Sequence, residues 1–264
     1  MEAVYLRPRS ISNGMKNQKV IVVLPAYNAA ATLEKTVSDV PMDSVSEFIL
    51  VDDMSRDDTV AVAERLGSKL TKPFLVYKHE KNRGYGGNQI TCYTTALERD
   101  ADIVVMLHPD YQYDSKLIKY FVEFIGDGYF DVMLGSRVRS RHETLGGGMP
   151  RYKYVANRLL TLWYNIVTGY NLSEWHTGMR AYSREVLQKI DFKKFSDDFV
   201  FDTQMLFAIT EHSFRVGDIP VPCRYFKDAS SISLRRSIRY GLTGMAESFK
   251  YLGRRISRSS KRSF

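Results

Sequence analysis

Short apolar runs alternate with helix-forming segments five times in the first part of the chain. The runs consist almost entirely of aliphatic and aromatic residues and lie at residues 19–24, 48–51, 73–77, 103–107 and 131–135. Apolar runs of this length are typical of strands that are buried on both faces. Their alternation with helices predicts an α/β protein with a mostly parallel sheet, helices on both faces and right-handed crossovers.

The ends of several helices can be read from single residues. Asn28 is a residue type that caps helices, and a helix over residues 28–40 would end before Pro41. A glycine run at residues 146–148 precedes a long helical segment at residues 150–167. From a length of 264 residues we expect one main domain at 19–230, with a polar leader at 1–18 and a basic tail at 231–264.

Polar residues follow three of the apolar runs at the point where each run ends. The three segments have the sequences PAYN, VDD and HPDYQYD. Because ligands bind outside the carboxyl ends of parallel strands, these segments are candidates for one shared site. The adjacent Asp52 and Asp53 can accept hydrogen bonds from a nucleobase N–H or from ribose hydroxyls, or can simply start a turn.

The third segment contains a pattern that fits a metal ion. Pro109 keeps His108 extended, so that His108, Asp110 and Gln112 can share one face. An imidazole, a carboxylate and an amide oxygen suit a divalent cation such as Mn2+ or Mg2+. The competing interpretation is a Pro-Asp turn with solvated side chains.

A glycine-rich segment, NRGYGG, opens the helix after the third run. Its glycines at positions 84, 86 and 87 do not fit the GxGxxG dinucleotide pattern. Close approach of the backbone at Gly84 to a ligand and a plain turn both remain open.

The net charge of +8 is concentrated at the end of the chain. Residues 231–264 contain nine basic residues and one acidic residue, which accounts for the whole excess. Apolar residues recur there at helical spacing, at Leu234, Ile238, Leu242, Met245, Phe249, Leu252 and Ile256. This pattern favours a basic amphipathic helix on an anionic membrane surface, although docking on the protein's own body or on a partner chain would give the same stripe.

Other classes of protein are disfavoured by composition. No apolar run is long enough to span a bilayer, and residues 1–18 lack the apolar block of a signal peptide. We therefore expect a cytoplasmic protein that is peripheral on the cytoplasmic face of the membrane. The sequence contains no nucleic-acid-binding motif, so a nucleic-acid partner is not expected.

The ordered set PAYN, VDDMSRDDT, NRGYGG, LHPDYQYD, GSR, HTGMRAYSREVL and FVFDTQML resembles family 2 glycosyltransferases of GT-A fold. It is most similar to the branch of dolichyl-phosphate and other polyprenyl-phosphate sugar transferases, over residues 20–237. The resemblance implies that the nucleoside is held by Pro25, Tyr27, Asn28, Asp52 and Asp53. It also implies a metal motif at His108, Asp110 and Gln112, where histidine replaces the usual first aspartate and favours Mn2+ over Mg2+.

The acceptor decides which other residues are needed. A lipid phosphate is already an anion at neutral pH and needs only cations to position it. The resemblance points to Arg137 and Arg151, with Arg235 or Arg236 from the tail as a lid. A sugar hydroxyl would instead require a carboxylate base. Asp198 and Asp202, which would share one helical face if FVFDTQML is helical, are the candidates.

The function predicted from the sequence is transfer of a hexose from a UDP- or GDP-sugar to a polyprenyl phosphate, with inversion and with Asp110 in the metal site. One alternative is transfer to a saccharide hydroxyl in cell-surface polysaccharide assembly. Another is a non-catalytic protein that binds a nucleotide-sugar or an anionic lipid. Because the chain has no predicted membrane span, tail docking or a separate membrane partner would have to bring it to the lipid.

Overall fold

The computed structural model describes residues 18–138, 140–224 and 234–262. In these residues a seven-stranded sheet has the order β3-β2-β1-β4-β6-β5-β7. The strands are β1 (Val20–Ala26), β2 (Glu47–Asp52), β3 (Phe74–Lys78), β4 (Ile103–Met106), β5 (Val132–Ser136), β6 (Arg180–Ser183) and β7 (Val216–Pro220). Strand β6 is antiparallel to both neighbours, and every other pair is parallel. The predicted mostly parallel sheet is confirmed.

Helices cover both faces of this sheet. They are α1 (Leu33–Ser38), α2 (Thr59–Gly67), α3 (Gly84–Glu98), α4 (Ile118–Gly126), α5 (Arg141–Gly146), α6 (Arg151–Thr168), α7 (Arg184–Lys189), α8 (Phe201–Glu211) and α9 (Leu234–Arg262). Alternate residues of β1 belong to opposite layers: Ile21 is part of the apolar cluster that includes residues of α3 and α8, and Val22 is part of the cluster that includes residues of α1 and α4. All residues of β1 are buried, as expected for a strand covered on both sides.

The antiparallel strand β6 was not indicated by the sequence pattern. It is four residues long and begins with the fully buried Arg180, so it lacks the apolar run that marks the other central strands. Tertiary contacts keep it in the sheet, because it pairs with β4 on one side and β5 on the other. Local propensity is a weak guide to such a strand.

The prediction that Asn28 caps the first helix is wrong. Helix α1 begins at Leu33, and Asn28 has a positive φ of 52°. The Asn28 backbone N–H donates to Ser55 Oγ at 2.8 Å, and its Oδ1 accepts from the Arg56 N–H at 2.8 Å. Asn28 therefore fastens the segment after β1 to the segment after β2.

Helix α9 packs against the body of the protein along part of its length. Tyr251 and Ser248 are buried, and Met245 and Leu252 pack against the main core. The other residues of the predicted stripe with described side chains are exposed, namely Ile238, Leu242, Phe249 and Ile256. The single predicted stripe is thus divided between an inward and an outward face. No helix in the described ranges is long and apolar enough to cross a membrane.

Candidate active site

Three strand ends with polar residues lie side by side. Strand β1 lies between β2 and β4, with Ala26 paired with Asp52 and Val23 paired with Met106. Thr32, just before α1, donates its hydroxyl to the carbonyl of Pro109 at 2.6 Å. The predicted nucleotide-binding segments and the predicted metal loop therefore meet at one edge of the sheet, where open parallel sheets bind ligands.

The adjacent aspartates at the end of β2 have different surroundings. Both Asp53 oxygens are occupied, because Oδ1 accepts from the Arg83 N–H at 2.7 Å and Oδ2 from the Gly84 N–H at 3.0 Å. His79 Nδ1 lies 2.8 Å from Asp53 Oδ1 as well. Asp52 is fully buried, and its Oδ1 has no hydrogen-bond partner among the residues that the structure describes. Asp53 fixes a loop, whereas Asp52 retains an acceptor that a ligand could satisfy.

The remaining predicted nucleoside contacts differ in exposure. Pro25 lies within β1 and is buried, so it shapes the strand end. Tyr27 is 49% exposed and Asn28 is also exposed, both directly after the strand. Tyr27 has the accessible aromatic face that can stack on a nucleobase.

The glycine segment at the start of α3 packs closely against the protein itself. The Gly86 N–H donates to the carbonyl of Asp197 at 2.7 Å, and a Cβ at Gly86 would lie only 2.1 Å from the carbonyl oxygen of Ser196. At Gly84 the backbone has a φ of 79°, and its N–H is held by Asp53. These contacts account for the glycines without a ligand, and the nucleotide contact of Gly84 stays a prediction.

The HPDYQYD loop is held by a hydrogen bond within the loop and by one from the segment after β7. Asp110 Oδ1 accepts from the Gln112 N–H at 3.1 Å, which closes an Asx-type turn. The Gln112 carbonyl accepts from the Arg224 N–H at 2.9 Å, and the Arg224 guanidinium lies 4.6 Å from the centroid of the Tyr111 ring. The loop is therefore fixed against the segment after β7, with a cation above it.

His108 joins a buried hydrogen-bond network. Its Nε2 lies 3.1 Å from the Tyr85 hydroxyl, which donates to Asp202 Oδ2 at 2.8 Å. Asp202 Oδ1 accepts from Gln89 Nε2 at 3.3 Å, and the buried Arg180 lies 3.7 Å from Asp202 Oδ2. The Asp202 carboxylate thus accepts from two residues of α3 and lies beside an arginine of β6.

The second carboxylate suggested as a base lies elsewhere. Helix α8 begins at Phe201, so Asp198 precedes the helix and does not share a helical face with Asp202. Asp198 is exposed, and its Oδ1 accepts from the Phe199 N–H at 2.8 Å. The predicted pairing of Asp198 and Asp202 on one helical face is therefore wrong.

Arg137 is paired with a carboxylate that sequence reasoning did not single out. The Arg137 Nε donates to Glu174 Oε1 at 2.9 Å, and its Nη2 contacts the same oxygen and the carbonyl of His176. Asn157 on α6 donates to Glu174 Oε1 at 2.8 Å. Burial acts to raise the pKa of the fully buried Glu174, but Arg137 and Asn157 lower it below its ordinary value.

The other arginines predicted to position an acceptor are exposed. Arg151 is the first residue of α6, and Arg235 and Arg236 lie in the first turn of α9. The start of α9 is linked to the site, since the Tyr240 hydroxyl lies 2.7 Å from His176 Nδ1 and 3.0 Å from Thr203 Oγ1. Burial lowers the pKa of His176 to about 4, so this imidazole is neutral at pH 7.

The residues of the HPDYQYD loop fit a divalent cation by their chemistry. Burial lowers the pKa of His108, which leaves a neutral imidazole, the form that binds metals. No group of three or more His, Cys, Asp or Glu side chains within the described part of the chain is arranged to hold a metal. A cation at His108 and Asp110 would therefore need Gln112 and the oxygens of a bound diphosphate as further ligands.

Comparison with protein families decides the class. The model for glycosyl transferase family 2 matches residues 21–191, which run from β1 into the segment after α7. This chain is a family 2 glycosyltransferase. The resemblance drawn from the ordered motifs is confirmed.

Relatives of this glycosyltransferase include enzymes named for polyprenyl-phosphate acceptors. The UDP-N-acetylglucosamine–dolichyl-phosphate N-acetylglucosaminyltransferase of Methanococcus voltae is 24% identical over 222 residues, which cover 80% of this chain and 88% of the relative. The undecaprenyl-phosphate mannosyltransferase of Micrococcus luteus is 26% identical over 209 residues, which cover 77% of this chain and 82% of the relative.

Among solved structures, the fold is similar to that of glucosyl-3-phosphoglycerate synthase from Mycobacterium tuberculosis in complex with Mn2+, UDP and phosphoglyceric acid. The TM-score is 0.67 at 17% identity, and the match covers 90% of this chain and 79% of the synthase. The same synthase was also solved with Mg2+ and UDP. The similarity shows that the glycosyltransferase has the predicted GT-A fold.

Several site residues could not be found from the sequence. Tyr85 lies in the quoted segment NRGYGG and Glu174 in none of the quoted segments, and no local pattern shows that their partners are 117 and 37 residues away. Arg180 lies inside the quoted segment HTGMRAYS, but nothing local indicates that it is buried beside Asp202.

Proposed function

We propose that this glycosyltransferase moves a hexose from a UDP- or GDP-sugar to a polyprenyl phosphate at the cytoplasmic face of a membrane, with inversion and with the help of Mn2+ or Mg2+. The observation that carries the proposal is the set of hydrogen-bond partners around the Asp202 carboxylate. Its carboxylate accepts from Tyr85 and Gln89 and lies beside Arg180. A carboxylate held in this way is poorly suited to remove a proton, so the site fits an acceptor that is already an anion.

The donor is assigned to the edge formed by β1, β2 and β4. The unpartnered Oδ1 of Asp52 would accept from a nucleobase N–H, and Tyr27 would stack on the base. His108, Asp110 and Gln112 would hold the divalent cation, which when bound neutralises charge on the departing diphosphate. UDP is named in a relative and in the structure of the synthase, which agrees with this arrangement.

The acceptor phosphate is assigned to the arginines at the start of α6 and α9. Arg151, Arg235 and Arg236 are exposed residues, and guanidinium groups suit phosphate geometry. Arg137 is bonded to Glu174 and contributes by its charge. In the reaction a phosphate oxygen of the lipid forms a bond to the anomeric carbon. The bond from that carbon to the diphosphate oxygen breaks, and its electron pair leaves with the nucleoside diphosphate, so no proton needs to be transferred.

The test is transfer of a radiolabelled hexose from a panel of UDP- and GDP-sugars to a short polyprenyl phosphate, with Mn2+ or Mg2+. Label in the organic phase is expected, and chelation of the metal should abolish it. Label that appears only on added glycans would favour a hydroxyl acceptor. Nucleotide-sugar binding without any transfer would favour a non-catalytic role. The Asp110→Ala variant removes one of the proposed metal ligands. It should lose transfer of the hexose but keep its folded structure.

A further inference from the structure

Helix α6 exposes a continuous apolar stripe that the proposed function does not use. Its members are Tyr152, Val155, Leu159, Leu162 and Ile166, which are 48–66% exposed. They recur at steps of three and four residues and therefore lie on one helical face. The opposite face carries buried residues such as Asn157 and Tyr164. Large apolar residues in an unbroken row on a solvent face indicate an interaction surface.

The outward face of α9 continues this surface. Ile238, Leu242, Phe249 and Ile256 are 56–69% exposed and are separated by four or seven residues. The Trp163 ring of α6 lies 5.9 Å from the Phe249 ring, and Trp163 Nε1 donates to Ser248 Oγ at 2.9 Å. On α6, Trp163 lies between the exposed stripe and the residues that contact α9, so the Trp163–Phe249 pair joins the two stripes into one surface.

The two helices run side by side in the same direction. A Cβ at Gly241 would meet Leu160 at 3.7 Å, and further along Arg255 donates to the carbonyl of Val167 at 3.1 Å. Their N-terminal parts are the parts linked to the site, through Asn157 to Glu174 and through Tyr240 to His176. We call the surface formed by the exposed apolar residues of both helices the α6–α9 face.

Basic residues border the α6–α9 face on both sides. On the helical wheel, Arg151 and Arg158 lie beyond the α6 stripe, and Arg235, Arg239 and Lys250 lie beyond the α9 stripe. All five are exposed. The sequence of α6 contains three basic and no acidic residues, and that of α9 contains nine basic residues and one acidic residue, Glu247, which pairs with Lys250 at 2.8 Å.

We propose that the α6–α9 face is the surface by which this enzyme lies on an anionic lipid bilayer, with α6 contributing as much as α9. An apolar centre with cationic borders matches acyl chains below a layer of anionic headgroups. A second copy of the chain is a poorer match, because it would bring the same basic borders together. Docking in this way holds the N-terminal ends of both helices, and hence the arginines of the proposed acceptor site, at headgroup level.

The docking can be tested apart from the reaction. The full chain is sedimented, without donor or metal, with vesicles of equal parts phosphatidylcholine and phosphatidylglycerol, and with vesicles of phosphatidylcholine alone. We expect the combined Leu159→Ser, Leu162→Ser and Ile166→Ser variant to bind the anionic vesicles at least roughly tenfold more weakly. The Leu242→Ser and Ile256→Ser variant should show a similar loss. Raised salt and uncharged vesicles should each weaken binding by the unmodified chain.

Matched controls are Tyr77→Ser and Tyr129→Ser, which remove exposed aromatic rings elsewhere on the molecule. They should bind as the unmodified chain does. Undiminished vesicle binding by the α6 variant would overturn the proposal, and so would a large fall in its melting temperature, since the face would then be covered within the protein. A dimer in sedimentation velocity that the α6 variant converts to monomer would assign the face to a second copy.

Only the identity of the lipid-phosphate acceptor depends on the proposed function. If vesicle binding follows these expectations but no hexose reaches a polyprenyl phosphate, the proposed function fails and the docking face stands. If transfer to a short, water-soluble polyprenyl phosphate is normal in the α6 variant while vesicle binding is unchanged, the docking face fails and the proposed function stands.

Discussion

Neighbouring aspartates with the same sequence signal serve different purposes in this enzyme. The Asp53 carboxylate stabilises the loop that leads into α3, because it accepts from two backbone N–H groups and contacts His79. Asp52 keeps one buried oxygen that no described residue contacts by a hydrogen bond. The sequence places both at a strand end, but only the fold shows which of them is available to a ligand.

Substitution of Asp52 or Asp53 by asparagine should distinguish a role in nucleotide binding from a role in stability. Asp52→Asn is expected to weaken binding of the donor nucleotide by about tenfold or more, because an amide group there can present a donor where an acceptor is needed. Its melting temperature should change little. Isothermal titration calorimetry with UDP and GDP makes the measurement.

Asp53→Asn is the matched control, and it should lower stability by about 1–3 kcal/mol because the hydrogen bonds to Arg83 and Gly84 lose a charged acceptor. Equal effects of the two substitutions on stability and on nucleotide affinity would contradict the assignment of separate purposes.

The ion pair of Glu174 and Arg137 should make stability depend on pH. The pKa of Glu174 is lowered in the folded protein from an ordinary value of 4.5. A lowered carboxyl pKa contributes stability that is fully present above the unfolded value and is lost as pH falls through the folded value. Glu174→Gln should therefore cost about 3–5 kcal/mol at pH 7, because it leaves the guanidinium of Arg137 with an uncompensated charge.

Denaturant unfolding of both proteins at pH 7 and in acid measures this difference. The difference in free energy of unfolding between the unmodified chain and Glu174→Gln should become smaller once the pH lies below the folded pKa of Glu174. A gap that stayed constant into strong acid would show that the ion pair is not its source.

Residue-scale features of the site were predictable where they follow from a strand end. The position of His108, Asp110 and Asp52 at strand ends was predicted in this way, since periodicity indicates where a buried strand stops. Tyr85 was missed because its partner Asp202 lies 117 residues away, and no local pattern encodes a contact over that distance.

At the scale of elements, the contact between α6 and α9 depends on a glycine. A Cβ at Gly244 would lie 2.3 Å from the Tyr164 hydroxyl, which is buried and has no hydrogen-bond partner within the described part of the chain. The two helices approach closely at this point because Gly244 has no side chain. The amphipathic pattern of α9 was predicted from the sequence, but its division into an inward and an outward face was not, since the stripe contains residues of both kinds.

Alanine at two glycines of α9 tests this contact. Gly244→Ala should destabilise the protein by about 1–3 kcal/mol, because the added methyl group overlaps Tyr164. Gly253→Ala is the matched control, since a Cβ there meets nothing within 4 Å. It should stabilise the helix by about 0.5–1 kcal/mol. Chemical denaturation gives both values, and destabilisation of similar size at both positions would argue against the specific contact.

At the scale of the whole molecule, α9 belongs to the core as well as to the surface. Tyr251 packs on Phe207 with a ring separation of 5.2 Å, and Met245 and Leu252 adjoin the same cluster. The mostly parallel sheet was predictable because the runs that form β1 to β5 are largely apolar. The relation of the basic tail to the body was not predictable, because membrane, body and partner leave the same pattern in a sequence.

Removal of α9 is therefore expected to reduce stability. A chain that ends at residue 224 should melt roughly 10 °C below the full chain, because several large apolar side chains lose their cover. Scanning calorimetry without lipid makes the measurement. An unchanged melting temperature would show that α9 serves only as an anchor.

The position of β6 also determines when the central sheet can be completed during synthesis. Strands β1 to β4 are complete once residue 106 has emerged from the ribosome, but the second neighbour of β4 begins only at residue 180. Until then β4 is an open sheet edge, and such edges pair readily with other chains. The strand that leads into the HPDYQYD loop thus stays an open edge while β5, α5 and α6 are synthesised. We therefore expect the nascent first half of this protein to be bound by chaperones.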